Sequence, residues 1–127
     1  MKFTGHAGAT EQDLALFRET TGRKLPGDYL AFLRKCNGGE GFIGEEYLIL
    51  WKLGELEEFN RDYEVRKYLP DVFLFGSNGG GEAYGFKINK LPWKIVRVPF
   101  VGMCPEDCET MANSFSEFLD VLEQSPS

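Results

Sequence analysis

The chain is short of the residues that most often carry reaction chemistry. It has one histidine, His6, set among small residues near the start, and three cysteines, Cys36, Cys104 and Cys108. An odd cysteine count in a chain of 127 residues, long enough to build a core without staples, argues against a disulfide framework. Nucleophilic catalysis needs a base beside the nucleophile, and His6 reads as an incidental surface residue. Cys36 is expected as a buried thiol on the core face of a helix. Cys104 and Cys108 supply two thiols where a closed zinc site wants four ligands, so neither a metal nor another cofactor is expected. No carboxylate pair with the separated roles of acid–base catalysis stands out, which leaves a carboxylate-dependent hydrolase as the least favoured reading. No apolar run reaches the ~18 residues of a membrane span. The first residues also lack a signal-peptide apolar region. A cytoplasmic protein with no membrane partner is the expectation.

Positive charge is scarce as well. Fourteen Lys and Arg face twenty Asp and Glu, a net charge of −6, which excludes the broad basic surface that nucleic acid requires. The whole imbalance lies between Glu40 and Glu64. Eight acids (Glu40, Glu45, Glu46, Glu55, Glu57, Glu58, Asp62 and Glu64) meet only Lys52 and Arg61 there, and the remainder of the chain is balanced. Such a run either steers a basic partner or is a solvated face that keeps the protein soluble.

Apolar residues and glycine are plentiful. A hydrophobic content of 43% suits one domain spanning 1–127, with 1–8 and 124–127 expected to be loose. Thr10 caps a first helix that Gly22 stops. Pro26 opens a second, with Tyr29, Leu30, Phe32, Leu33 and Cys36 as its stripe and Asn37-Gly38-Gly39 as its end. Tyr47 to Trp51 is a strand, and Gly41 to Gly44 is a short arm that pairs with it. The stretch 54–63 reads as an inserted helix packing through Leu56, Phe59 and Tyr63. Val72 to Phe75 and Ala83 to Ile88 flank Asn78-Gly79-Gly80-Gly81 as a hairpin near the centre of a sheet. The glycines lack the lysine of a phosphate loop and lead into a strand, so a turn is the better account. Lys94 to Val98 is a half-exposed strand, and 101–110 reads as a loop. Ser114 and Glu117 form a capping box for a last helix with Phe115, Phe118, Leu119 and Leu122 inward. The sum is an α+β single domain: a mostly antiparallel sheet of about five to six strands, flanked by helices at both termini and with one inserted helix.

Four of these stretches, in order, resemble the SUKH superfamily, whose founding member is a yeast regulator of cell-wall synthesis. They are Leu25 to Leu33 with Asn37-Gly38-Gly39, Leu50 to Leu56, Phe75 to Phe86, and Ser114 to Leu119. The resemblance runs from about Glu11 to Glu123. It implies an α+β fold and a role in binding protein rather than in catalysis. Many bacterial relatives resemble immunity proteins that neutralise toxins of competing cells; others resemble intracellular regulators or scaffolds. Under the immunity reading the partner is a basic toxin domain. If that toxin is a nuclease, carboxylates would mimic phosphate and speed association. The residues to examine are then Glu45, Glu46, Glu57, Glu58 and Asp62, with Trp51 either an aromatic anchor or a core residue.

Overall fold

In the computed structural model, which describes residues 2–124, the chain runs through seven strands and five helices. They are β1 (Lys2–Ala7), α1 (Glu11–Thr21), α2 (Gly27–Lys35), β2 (Cys36–Ile43), β3 (Glu46–Leu50), α3 (Leu56–Asp62), α4 (Val65–Tyr68), β4 (Val72–Ser77), β5 (Glu82–Lys87), β6 (Lys94–Pro99), β7 (Glu109–Ala112) and α5 (Phe115–Gln124). Short 3-10 turns cover Leu53–Glu55 and Pro105–Asp107. Every strand pairs antiparallel with the next in sequence, giving one sheet in the order β1 to β7. The expected α+β class holds, with seven strands in place of five or six.

The two additional strands are the edges. Residues expected to be loose at the start form β1, which pairs with β2 from Lys2 opposite Phe42. Only Phe3 of β1 turns inward, onto Phe32 of α2 with ring centroids 6.3 Å apart. An edge strand with one half-buried side chain leaves little alternation to read. Likewise β7 occupies part of the presumed 101–110 loop. At the other end Gln124 closes α5, and the rest of the expected loose tail lies outside the described residues.

Local chemistry explains the helix ends. Thr10 and Asp13 form a reciprocal capping box, and Gly22 ends α1 in the left-handed conformation. The end of α2 differs from expectation. Cys36 is already extended, and Asn37-Gly38-Gly39 belong to β2, with Asn37 accepting a hydrogen bond from the Leu53 N–H at 2.7 Å. Cys36 is thus a half-buried strand residue, not part of the helix stripe. Ser114 accepts from the Glu117 N–H at 3.1 Å, while the Glu117 carboxylate accepts from Asn113 rather than Ser114. Asp28 in α2 accepts from the Ser116 N–H at 2.9 Å and so ties α2 to the start of α5.

The core lies between the sheet and these two helices. Tyr29 packs on Phe115, Phe86 and Phe75 with centroids 4.9, 5.1 and 5.8 Å away. Phe118 of α5 adds Tyr84 at 4.8 Å. The glycine hairpin at the sheet's centre is closed by its own side chains. Asn78 accepts from the N–H groups of Gly80 and Glu82 at 2.8 and 3.1 Å, and Gly79 and Gly81 supply the positive φ the turn needs. Those N–H groups are therefore already engaged, which agrees with a turn and not with a phosphate cradle.

One polar residue repairs the sheet. β3 pairs with β4 through Ile49 and Leu50, the Trp51 N–H donates to the Phe75 carbonyl at 3.0 Å, and the chain then departs. Asn60 takes over beyond that point. Its amide donates to the carbonyls of Leu74 and Leu56 and its oxygen accepts from the Leu74 N–H, all at 2.8 Å. A single buried side chain thus acts as the missing strand neighbour and fixes α3 against β4.

Candidate functional site

The six residues singled out on the sequence occupy two places. Glu45 lies in the turn between β2 and β3, and Glu46 begins β3. Trp51 follows the far end of β3, five residues on, or ~16 Å along an extended chain. Glu57, Glu58 and Asp62 lie beyond it on α3. Because α3 runs beside Leu74 while Ile49 pairs with Ser77, α3 continues away from Glu46 along β4. The structure places the α3 carboxylates on the helix whose Phe59 packs on Trp51, and leaves Glu45 and Glu46 at the opposite end of β3.

The surroundings at each end differ. Glu46 lies close enough to Tyr84 to act on its phenol. Burial is the main cause raising that phenol's pKa; Arg97 opposes it, and Glu46 and Glu82 add to it. Arg97 also pairs with Glu109 at 2.9 Å and with Glu82 at 3.5 Å, so this end carries mixed charge. On α3 the acids divide. Glu57 is engaged by Arg23 at 2.6 Å. Glu58 and Asp62, four apart and therefore on one helical face, are exposed.

Trp51 is buried, with only 7% of its surface exposed. Phe59 packs edge-on to it at 4.9 Å and Tyr63 stacks on it at 6.2 Å. Phe100, from the chain after β6, closes the other side of Tyr63 at 4.7 Å. Tyr63 itself is 44% exposed, and Val101 beside Phe100 is 91% exposed. This refines the expected packing face of the inserted helix. Leu56 and Asn60 are its buried residues, Phe59 is half-buried, and Tyr63 keeps one face on Trp51 and part of its surface in solvent. Leu56 and Phe59 pack as expected, and the polar Asn60, four residues from Leu56, is the inward residue that apolar spacing alone does not show. The result is an apolar patch with two exposed carboxylates alongside, held on a stacked aromatic base.

Other groups weighed on the sequence stay apart. His6 is exposed in β1. Hydrogen bonding to Asp107 raises the Cys104 pKa, and burial raises that of Cys108, so both thiols are held protonated and poorly nucleophilic. Among the described residues no three His, Cys, Asp or Glu side chains come together as a metal site. No helix among them is long and apolar enough to cross a membrane.

An antiparallel meander covered by helices defines an α+β domain, here with an apolar surface patch beside acids. The chain belongs to the SMI1 / KNR4 family (SUKH-1), whose sequence profile matches residues 8–121. No curated protein matches it. Membership is consistent with a toxin-immunity protein and with a protein partner.

Proposed function

We propose that the chain is an immunity protein that binds and neutralises a cognate, basic toxin domain through the α3 surface. Family membership supports the class, and the exposed Tyr63 beside Glu58 and Asp62 carries the choice of surface. A rigid aromatic gives contact area at little entropic loss, and carboxylates at the rim attract and orient a cationic partner. In this reading Trp51 works from beneath, holding the Tyr63 ring. Glu57 works through Arg23. Glu45 and Glu46 act at a distance through their field.

The test is calorimetric titration of the chain with the C-terminal domain of a secreted toxin encoded beside it. Wild type should bind and inhibit that domain. Glu58→Lys with Asp62→Lys should weaken binding ~10-fold or more and flatten its salt dependence. Unchanged affinity and salt dependence in that double variant would remove α3 as the contact surface. Failure of the wild-type chain to bind the domain would remove the immunity reading.

A further inference from the structure

A cleft of about 700 Å³ opens between α3, α4 and the Val72 end of β4, and four cations line it: Arg23, Arg61, Arg66 and Lys67. The lining holds two carboxylates, Glu57 and Glu64. Arg23 already engages Glu57. Among the described residues Arg61, Arg66 and Lys67 form no ion pair. In a chain with net charge −6 this is a local excess of positive charge, the reverse of what its composition leads one to expect.

The cleft is also built. The Arg23 guanidinium lies 4.0 Å above the Phe73 ring, which is 1% exposed, and its side chain is only 21% exposed. Stacking and ion pairing together hold this fork of donors in one orientation. Exposed Pro70 and half-buried Ile88 give the cleft an apolar lining, backed by the buried Val65, Val72 and Phe73. Glu64 joins α3 to α4 at φ 54°, and it is the one non-glycine with positive φ among the described residues. That disfavoured joint turns the chain between Arg61 on α3 and Arg66 and Lys67 on α4, all three of which line the cleft.

We propose that this cleft binds a small organic phosphate, a doubly charged oxyanion on a compact apolar or aromatic body. The oxyanion would be held by Arg61, Arg66 and Lys67, and the body would rest on Pro70 and Ile88. The volume suits such a ligand. Arginine in particular favours a phosphate, whose paired oxygens match its donors. The proposal goes beyond the protein-partner reading and does not depend on it.

Phenyl phosphate is the probe, with inorganic phosphate as the charge-only comparison. Calorimetry would compare wild type, Arg61→Gln with Arg66→Gln, and Lys87→Gln with Lys94→Gln, whose lysines lie outside the cleft. Wild type and the lysine variant should bind one phenyl phosphate with similar affinity, and inorganic phosphate more weakly. The arginine variant should bind ~10-fold more weakly or not at all. In amide spectra the Arg23 side-chain N–H and the Asn60 side-chain signals should move on titration of the wild type. Both arginines are exposed and unpaired among the described residues, so thermal melts should show that variant folded. Absence of saturable binding by wild type, full affinity in the arginine variant, or equal losses in both variants would overturn the site.

Discussion

Two buried polar side chains, Tyr29 and Asn60, make opposite predictions. Tyr29 sits at the hub of the aromatic core, 1% exposed, and its hydroxyl has no hydrogen-bond partner. An unpaired buried hydroxyl costs about 1–3 kcal/mol. Tyr29→Phe keeps the ring contacts and removes that group, so it should leave stability unchanged or raise it by about 1 kcal/mol in a denaturant melt. Burial also pushes the Tyr29 phenol well above its ordinary value of 10.0. The folded state then keeps a proton that the unfolded state releases. The associated stability is fully present below pH 10 and is lost as pH climbs from there toward the raised value. Tyr29→Phe should therefore flatten the alkaline fall in stability, and an equally steep fall in the variant would assign it to other groups. Asn60 is the reverse case, with three hydrogen bonds. Asn60→Leu strands the buried N–H and carbonyl of Leu74, and should destabilise by roughly 2–5 kcal/mol. A loss under about 1 kcal/mol would mean that water or a shifted β3 replaces the amide.

At the level of elements, legibility followed the number of buried positions each one has. β4 is buried at all six positions and α5 carries Phe115, Phe118 and Leu122 at helical spacing, so both stood out on the sequence. β1 turns only Phe3 inward, and its place depends on a partner strand that follows two intervening helices: Gly39 and Gly41 of β2 allow its backbone to approach. A Cβ on Gly41 would fall 2.1 Å from the Lys2 carbonyl oxygen, and its φ of 153° is one that other residues rarely adopt. Gly41→Val should therefore detach β1 while the sheet's centre holds. Hydrogen exchange would show Lys2–Ala7 losing protection as β4 to β6 keep theirs. Uniform loss across the sheet would instead make β1 part of one cooperative unit with the core. The candidate site was legible in part for the same reason. Its acids are plain in the sequence, but the partial exposure of Tyr63 depends on Trp51 and Phe100 from other elements, and the burial of polar Asn60 depends on the gap β3 leaves beside β4.

Across the whole molecule, the acidic segment that reads as one run is divided by the fold. Glu45 and Glu46 sit at one end of β3 and the α3 acids lie beyond the other. Charges at the two places should therefore act on different stages of association with a basic partner. Charges outside the contact act through their field, which changes the rate of encounter and is screened by salt over ~10 Å at ordinary ionic strength. A packed aromatic changes the rate of escape instead, because its loss leaves the contact poorly filled. Under the proposed α3 surface, Glu45→Lys with Glu46→Lys should slow association a few-fold at low salt, and the difference should shrink as salt is added. Its dissociation rate should match wild type. Tyr63→Ala should do the converse, with association nearly unchanged and dissociation faster by ~10-fold or more. Stopped-flow or surface-resonance kinetics at two ionic strengths separate the cases. Should the Glu45 and Glu46 variant dissociate faster while Tyr63→Ala does not, the contact would lie at the β2–β3 turn, where Arg97 with Glu82 and Glu109 would join it.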